Sequence, residues 1–567
     1  MIVLGVANAE TASACLIRDG ALIAAASEER FTRKKMDHSW PAHSIAYCLA
    51  HAGIELEQVD RVAYGWCAGF DAEKHLLTYF DRIVHEVREN PEGLDIFRER
   101  IAVEVERDKI KRDEFWAWVD ELGLRPRTVS VDHHLAHAYS AYACSPFDSA
   151  LVLTCDGRGD YCAFTAMYFS TQGVKELYRA TSTDSLGFFY GRITQLLGFR
   201  PHRHEGKVTG LAAHGDPAKL LPAMEEMIRV EDGHLIGRSG ELFRPFYSHF
   251  STRLEELIKA NSREDVAAAA QKHLENCLEA LAAYYVKATG ARHVGLAGGV
   301  FANVCVNQRI LELPGVDNVF IQPQMSDGGL CIGAAAQVLQ EQGLPHVDTP
   351  NMYLGPDYTE EDIESALKAQ QGIEWHRPDD LIDEAINLVE NNQVIGWFQG
   401  RMEFGPRALC HRSIIYHCKD RSANDWLNKR MSRTEFMPFA PVTAEELAPE
   451  CYIGWQPDHI AAHYMTITYD CTEAMKQSCP AAVHIDGTAR PQVVQKHTNA
   501  LMHEFLTRYH QQTGGLSLIN TSFNRHEEPI VNKPEEAIDA LAKDVVDVLV
   551  IGPFVVRPIS YRAKNRA

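Results

Sequence analysis

This sequence has no long apolar run and no Cys-x-x-Cys pair, and its first residues are not expected to form a secretory leader. No stretch reaches the roughly 18 consecutive apolar residues that a membrane-spanning helix needs. Residues 1–6 carry no basic residue ahead of their short apolar run. The 14 cysteines are scattered singly, without a Cys-x-x-Cys pair. We therefore expect a cytoplasmic protein with reduced thiols and no membrane contact.

Positive charge is also scarce. The chain has 56 Lys and Arg residues against 77 Asp and Glu residues, which gives a formal net charge of −21. Proteins that bind nucleic acids usually present a basic face to the phosphate backbone, so we expect no nucleic-acid partner. Local pockets for small phosphates remain compatible with this charge. A length of 567 residues and a hydrophobic fraction of 46% indicate a globular protein of roughly two to four domains.

Two common nucleotide-binding patterns are incomplete. Gly206-Lys207 has Pro201 where a P-loop has its first glycine, and Val208 follows the lysine in place of Ser or Thr. Gly157-x-Gly159 is followed by Cys162 where a dinucleotide fingerprint has its third glycine. Any phosphate site in this chain must therefore be built in another way.

A weak internal repeat is present in the first third of the chain. The first copy is predicted as three strands, at residues 2–7, 12–17 and 21–27. The second copy is predicted as strands at residues 150–154, 161–169 and 174–179, with a turn at residues 156–160. Helical patterns occupy residues 42–52 and much of 71–122. The repeat predicts two related α/β halves.

Glycine-rich junctions between a strand and a helix occur twice more. Gly298-Gly299 lies between a predicted strand at 294–297 and a helix at 301–311, and Gly328-Gly329 precedes a helix at 330–339. Such glycines allow the backbone to approach a ligand closely.

A change of composition around residues 345–356 marks a domain boundary, and we place the domains at 1–350 and 351–567. The second domain has strand patterns at residues 394–398, 516–519 and 548–551 and a capped helix start at Thr359. It is therefore predicted to be α/β as well.

His133 and His137 form the most informative pair in the chain. Four residues apart on a helix, they would share one face and could bind one metal ion. A zinc-protease helix needs Glu directly after the first His, and His134 stands there. A metal site is indicated and peptide hydrolysis is not. The alternative is a pair of hydrogen-bonded core histidines.

Asp156 and Asp327 each follow an apolar strand on a glycine-rich turn. Each could stabilise its own turn, or each could meet a cation at the strand end. Together with the two histidines they would make a mixed His/Asp set suited to Fe(II), Mn(II) or Zn(II).

Arginines near Gly and Pro mark the second domain. Arg407 follows Gly405-Pro406, Arg433 lies ahead of Pro438, and Arg490 precedes Pro491. Asn520 and Ser522 follow an apolar strand. Arginine forks suit phosphate oxygens, and short amide or hydroxyl side chains suit phosphate and ribose. A single arginine is usually a surface group, but three in stiffened segments of an acidic protein favour an anion pocket.

Six segments in a fixed order carry a family resemblance. They are residues 27–35, 133–137, 206–215, 297–300, 405–409 and 520–524. The chain resembles the O-carbamoyltransferases of the nodulation and tobramycin-biosynthesis type. This resemblance implies an N-terminal domain built on the duplicated actin/sugar-kinase core, as in tRNA threonylcarbamoylation proteins, and a C-terminal YrdC-like domain.

The resemblance also implies a two-step reaction. The C-terminal domain would make carbamoyl adenylate from carbamoyl phosphate and Mg-ATP. The N-terminal domain would pass the carbamoyl group to an acceptor, usually a hydroxyl of a natural product such as an antibiotic precursor. The implied metal ligands are His133, His137, Asp156 and Asp327. The implied adenylate residues are Lys207, Gly298, Gly299 and Asn303. The implied carbamoyl phosphate and ATP residues are Arg407, Arg433, Arg490, Asn520 and Ser522.

Two positions depart from the family pattern. Glu10 stands in the first turn where the family commonly has His, and we hypothesise that Glu10 is the base, acting with His133 and His137. Met437 precedes Pro438 where many members have Arg, and we expect Arg433 to supply that charge.

Two other functions are compatible with the same motifs. A tRNA threonylcarbamoyl-type transferase would share both folds, but the charge of −21 opposes tRNA binding. A catalytically impaired nucleotide-binding homologue is favoured by Glu10 alone, and the complete His, Asp and Arg set opposes it. The motifs specify neither the acceptor nor the oligomeric state.

Overall fold

The fold is taken from a computed structural model, which describes residues 1–67, 84, 93–240, 242–244, 251–431 and 439–559. Arg433 and Met437 lie outside the described residues. The chain forms two compact units. The first consists of Met1–Ile23 and Cys48–Asp348, and the second of Ala24–Tyr47 and Thr349–Ala567. Residues 24–47 thus belong to the second unit, although the rest of that unit begins only at Thr349.

Two five-stranded sheets occur in the described part of the chain up to Asp348. The strands of the first sheet are β1 Ile2–Ala7, β2 Ser13–Arg18, β3 Ala21–Ser27, β4 Arg61–Tyr64 and β5 Thr128–Ser130. The strands of the second sheet are β6 Ala150–Gly159, β7 Cys162–Ser170, β8 Gly173–Thr181, β11 His293–Ala297 and β12 Asn318–Ile321. A separate hairpin pairs β9 Ile228–Glu231 with β10 His234–Gly237.

The two sheets have the same topology. Their strand orders are β3-β2-β1-β4-β5 and β8-β7-β6-β11-β12. In each sheet the central strand pairs antiparallel with the next strand in sequence and parallel with the strand on its other side. This duplication confirms the internal repeat and the α/β class, and its strand order is that of the actin/sugar-kinase core which the resemblance implied.

Helices make up much of the rest of this part of the chain. Those of the first part of the chain are α1 Glu29–Thr32, α2 Ala42–Ala52, α3 Leu94–Glu121, α4 His133–Ala143, α5 Leu186–Leu196, α6 Glu205–Ala212, α7 Leu221–Met227, α8 Thr252–Lys259, α9 Arg263–Thr289, α10 Val304–Leu311 and α11 Leu330–Gln340. Asp132 caps the N-terminus of helix α4: its side chain accepts the N–H of Leu135 at 2.8 Å and satisfies an otherwise unpaired donor of the first turn. Helix α11 crosses α4 closely, because a Cβ at Gly333 would lie 1.7 Å from the oxygen of Ala136.

The second sheet corrects one prediction. The turn predicted at residues 156–160 is wrong, since β6 continues to Gly159 and the hairpin turns at Asp160 and Tyr161. Both turn residues have left-handed φ angles, 46° and 63°, which suit a two-residue hairpin. The register of the β6–β7 pairing shifts between Cys155 and Gly159. The segment with turn-like composition therefore forms an irregular part of strand β6.

The second unit is built on an eight-stranded mixed sheet in its described part, with the order β13-β22-β21-β14-β15-β20-β16-β19. The strands are β13 Ile373–His376, β14 Ile395–Phe398, β15 Arg412–His417, β16 Ala440–Ala444, β17 Tyr469–Asp470, β18 Thr488–Ala489, β19 Gln492–Val494, β20 Leu518–Ser522, β21 Val548–Ile551 and β22 Phe554–Pro558, of which β17 and β18 form a small separate ladder. The α/β prediction is confirmed here too.

Helices of this unit are α12 Glu360–Ala369, α13 Leu381–Glu390, α14 Ala423–Arg430, α15 Ala448–Cys451, α16 Glu473–Ser478, α17 Ala500–Thr513 and α18 Pro534–Ala542. The predicted start at Thr359 is confirmed, because Thr359 and Asp362 form a reciprocal capping box. Trp397 on β14 and Phe505 on α17 lie in one hydrophobic core between sheet and helices. In the described ranges no helix has the length and apolar character to cross a membrane.

Candidate functional site

Four side chains from three elements of the first unit converge on one point. His133 and His137 lie on the first turns of α4, Asp156 lies on β6, and Asp327 lies in a 3-10 turn ahead of α11. One nitrogen or oxygen atom from each lies within 4.8 Å of the others. The His137 Nε2 atom is 3.1 Å from Asp156 Oδ2 and 3.7 Å from Asp327 Oδ1. The structure thus brings the four candidate metal residues together.

The composition of this cluster suits a divalent cation. Both imidazoles are fully buried, and neither ring nitrogen of His133 has a hydrogen-bond partner among the described residues. The His133 Nε2 atom instead faces Asp156 and Asp327 at 3.7 and 3.8 Å. Two largely buried carboxylates leave negative charge that burial makes costly unless a nearby cation neutralises it. A cation with mixed nitrogen and oxygen ligands would neutralise it.

The two carboxylates also control protonation at this cluster. Burial opposes a charged imidazole, but hydrogen bonds to Asp156 and Asp327 outweigh it and raise the pKa of His137 to about 9. Burial would likewise raise the pKa of Asp156, yet contact with His133 and His137 holds it well below its usual range. Opposite charge at short range thus dominates over desolvation here.

His134 behaves differently from its two neighbours. Burial lowers its pKa well below the ordinary value, and its Nδ1 atom contacts Thr154 Oγ1 at 2.7 Å. It is therefore a neutral core residue that lies outside the cluster. The core alternative considered for the histidine pair describes this residue.

Several contacts fix the His133 ring. Asp160 Oδ2 accepts the backbone N–H groups of His133 and Cys67 at 2.8 and 2.7 Å. The Trp66 ring meets the His133 ring edge-on at 4.5 Å. On another side, a Cβ carbon at Gly159 would lie 2.1 Å from His133 Cδ2. The ring orientation is therefore set before any ligand binds.

The Gly298-Gly299 junction runs beside the same cluster. Gly298 has a φ of 102°, and a Cβ there would lie 2.2 Å from the oxygen of Cys155. A Cβ at Gly299 would lie 3.3 Å from Asp156 Oδ1. Only a backbone without side chains fits here, so a ligand at this junction would approach the main chain next to Asp156.

A buried polar network connects this junction with the helix that carries Lys207. Asn303 caps α10 and pairs its amide with that of Gln271, through contacts of 2.8 and 3.1 Å. Gln271 Oε1 also accepts from Tyr190, whose hydroxyl contacts Thr209 on α6 at 3.0 Å. The helix with Lys207, itself 4% exposed, is thereby held against the segment with Asn303.

Glu10 lies next to the His/Asp cluster and contacts a histidine that sequence reasoning missed. Its N–H donates to Asp327 Oδ2 at 3.1 Å, and its carboxylate contacts His202 Nδ1. Burial alone would lower the pKa of His202, but the contact with Glu10 and the charge of Glu205 raise it. The sequence feature that could have identified His202 is its position in a histidine-rich turn, four residues before Gly206.

Lys111 is a second group that sequence reasoning missed. Its Nζ atom lies 4.3 Å from the Trp66 ring centroid. Burial lowers its pKa, while the charges of Asp327 and Glu10 act in the opposite direction. Helix α3 brings it there from the middle of a charged 28-residue pattern, where no apolar stripe distinguishes one lysine from the others.

In the second unit the candidate anion residues surround Asn520. The Asn520 amide, 1% exposed, donates to Gln492 Oε1 at 2.6 Å and to the Ala408 oxygen at 3.2 Å. Arg407 directly precedes Ala408, and Arg490 lies two positions before Gln492. Ser522 ends the same strand, β20. The structure thus brings the segments of Arg407, Arg490, Asn520 and Ser522 together, whereas Arg433 is outside the described residues.

Glu403 organises the loop that carries Arg407. It is 3% exposed, and its Oε1 atom accepts the N–H groups of Leu409, His411 and Arg412 at 2.7, 2.8 and 3.0 Å. Three backbone donors on one carboxylate oxygen hold both ends of the segment in place. Its role was not visible in the sequence, where Glu403 is one acidic residue among many.

Comparison with known proteins gives a consistent result. A family profile described as "Carbamoyltransferase N-terminus" matches residues 3–336, and one described as "Carbamoyltransferase C-terminus" matches residues 386–558. Nodulation protein NolNO of Sinorhizobium fredii is 32% identical, over 96% of this chain and 78% of that protein. Nodulation protein NolO of Bradyrhizobium diazoefficiens is 34% identical, over 75% and 79%. Nodulation protein U of Sinorhizobium fredii is 28% identical, over 93% and 94%.

Proposed function

This chain belongs to the carbamoyltransferase family, and we propose from that premise that it carries out two linked reactions. In the first, carbamoyl phosphate, ATP and one water molecule give carbamoyl adenylate, phosphate and pyrophosphate. In the second, the hydroxyl of a small-molecule acceptor, such as a natural product, takes the carbamoyl group and releases AMP. The convergence of His133, His137, Asp156 and Asp327 beside the Gly298-Gly299 junction is the observation that supports the second reaction most.

The His/Asp cluster is proposed to hold a divalent metal ion, Fe(II), Mn(II) or Zn(II). When bound, such an ion polarises a carbonyl and stabilises negative charge that develops on its oxygen. The protein's part is to fix the ligands. Trp66 and Gly159 border the His133 ring, and Asp160 accepts the backbone N–H of His133, which would keep this imidazole in position for an ion.

Lys207, Gly298, Gly299 and Asn303 are proposed to bind the AMP part of the adenylate. The Gln271 and Tyr190 network holds α6 against Asn303, which would keep the lysine and the glycine backbone in one geometry. A lysine ammonium and close backbone N–H groups are both suited to phosphate oxygens.

Activation is proposed to take place in the second unit. Arg407, Arg433 and Arg490 would neutralise the triphosphate and carbamoyl phosphate, and Asn520 and Ser522 would orient them by hydrogen bonds. Charge neutralisation by fixed cations is the main requirement for phosphoryl and adenylyl transfer. The arrangement around Asn520 supports this assignment.

The acceptor hydroxyl must lose a proton as it attacks, and the removal of that proton is proposed to be assisted by Glu10. It lies next to Asp327 and is about half exposed, with 46% of its side chain accessible. An acceptor could therefore reach it, whereas His133 and His137 are fully buried and are proposed to act as ligands.

Mass spectrometry of the protein with ATP, carbamoyl phosphate and Mg²⁺ tests the first reaction. We expect carbamoyl-AMP and pyrophosphate. Arg490→Ala should form neither, while His133→Ala should still form carbamoyl-AMP and fail to consume it. Loss of the same step in both variants would contradict the division of labour between the two units.

A further inference from the structure

His202 forms a pair with Glu10 that the proposed reactions have not yet used. The imidazole Nδ1 contacts the Glu10 carboxylate. The His202 backbone has a left-handed φ of 65°, and its N–H donates to Glu205 Oε1 at 2.6 Å. Non-glycine residues are seldom found in this backbone region, and where they occur they often belong to functional sites.

The pair of Glu10 and His202 lies between the His/Asp cluster and solvent. On one side the Glu10 N–H donates to Asp327 Oδ2, and Asp156 is close enough to influence the charge of His202. On the other side the two side chains are 46% and 34% accessible. An acceptor arriving from solvent would meet this imidazole before the cluster.

The arrangement is that of a base oriented by a carboxylate. In such a pair the imidazole takes the proton, and the carboxylate fixes the tautomer of the ring and stabilises the imidazolium that forms. A carboxylate alone is a weaker base near neutral pH, because its ordinary pKa lies far below that of histidine. The histidine is therefore the better candidate for proton removal.

We propose that His202 is the general base for the acceptor and that Glu10 is its positioning residue; this rests on the proposed carbamoyl transfer. The acceptor oxygen forms a bond to the carbamoyl carbon, and its proton passes to the His202 imidazole. The bond between that carbon and the AMP oxygen breaks, and AMP leaves with the electron pair. Glu10 then stabilises the charged ring instead of taking the proton itself.

The pH dependence of transfer follows from this pairing. Burial acts to lower the pKa of His202, and Glu10, Glu205 and Asp156 together raise it. A base must be neutral, so transfer should fall as the pH drops through this raised pKa. Glu10→Gln removes the strongest raising contact, so the acidic limb should shift to lower pH. If Glu10 had a purely structural role, its substitution would change the rate at all pH values and leave the acidic limb at the same pH.

Water and hydroxylamine serve as probe acceptors, because the natural acceptor is unidentified. The measurement is consumption of enzyme-formed carbamoyl-AMP in single turnover. Water needs a base to lose its proton, whereas hydroxylamine can attack as a neutral amine. For His202→Gln we expect about a 10²-fold loss with water, little loss with hydroxylamine, and unchanged formation of carbamoyl-AMP. His234→Gln, at an exposed histidine of the β9–β10 hairpin, is the matched control.

The outcomes separate the two proposals. If the wild type forms no carbamoyl-AMP, the proposed function fails and the base assignment fails with it. If the wild type forms and consumes carbamoyl-AMP, and His202→Gln consumes it at the same rate and with the same acidic limb of the pH profile, only the base assignment is overturned. Should His202→Gln fold poorly by circular dichroism, the shift of the limb in Glu10→Gln decides the question, and an unshifted limb overturns the proposal.

Discussion

Gly159 lies directly against the ring of His133: a Cβ carbon at Gly159 would be 2.1 Å from Cδ2 and 2.2 Å from Cγ of the imidazole. No side chain fits there without moving the ring. Gly159→Ala should therefore displace His133 from the cluster and destabilise the fold by about 1–3 kcal/mol, as overpacking commonly does. Metal content of the purified protein and its thermal unfolding would measure both effects.

Gly157→Ala is the matched control for this substitution. It lies two positions away on the same strand, and its added Cβ would meet only Phe188 carbons, at 3.6 Å or more, which is ordinary contact. We expect this variant to keep its metal and most of its stability. Equal metal loss in both variants would mean that the strand as a whole, and not the His133 ring, is sensitive.

The His/Asp cluster should bind one divalent ion per chain, and that ion should stabilise the protein. Removal by a chelator should lower the melting temperature, and re-addition of Mn²⁺ or Zn²⁺ should restore it. Saturation at a hundredfold excess over Kd corresponds to about 2.7 kcal/mol of stabilisation. Asp156→Asn should abolish the metal-dependent shift, because the amide is a much poorer ligand than the carboxylate.

His134→Gln provides the comparison within the same helix. His134 is buried against Thr154 and lies outside the cluster, so its replacement should lower stability while the metal-dependent shift persists. A lost shift in this variant, or a retained shift in Asp156→Asn, would show that the ion binds elsewhere.

The residues that could be predicted from sequence share a local cause. The strand Ile2–Ala7 and the helix Ala42–Ala52 have the predicted bounds, since apolar patterning and turn residues determine them locally. His133 and His137 share a face because four-residue spacing on any helix ensures it. The segments with Asp156 and Asp327 converge because β6 and the strand preceding Asp327, β12, lie in one sheet.

The features that were missed depend on distant parts of the chain. The contact between Glu10 and His202 joins a turn of the first sheet to the segment ahead of α6, and no periodicity encodes that meeting. Residues 24–47 group with the second unit through contacts such as Arg30 with Gly405. The turn expected at 156–160 was wrong because pairing with β7 overrides the local preference of Gly and Asp for turns.

Glu403 should be required for activation in the second unit. Glu403→Ala removes the acceptor for three N–H groups of the Arg407 loop, and a buried donor left unpaired costs about 1–3 kcal/mol. We expect lower stability and a strong loss of carbamoyl-AMP formation, measured as pyrophosphate release. Glu403→Gln keeps one carbonyl oxygen and should retain more of both. If Glu403→Ala releases pyrophosphate at the wild-type rate, the Arg407 loop is not required for activation.

Gln271 should affect nucleotide retention without touching the His/Asp cluster. Gln271→Ala leaves the Asn303 amide and the Tyr190 hydroxyl short of a partner, so stability should fall by about 1–3 kcal/mol. Because α6 would lose its bridge to Asn303 through Gln271 and keep the longer 3.4 Å contact between Asn303 Nδ2 and Thr209 Oγ1, AMP should bind more weakly by calorimetry, while metal content stays unchanged. Gln342→Ala, at an exposed position just after α11, should change neither. If Gln271→Ala binds AMP as tightly as the wild type, the adenylate site lies away from Lys207 and Asn303.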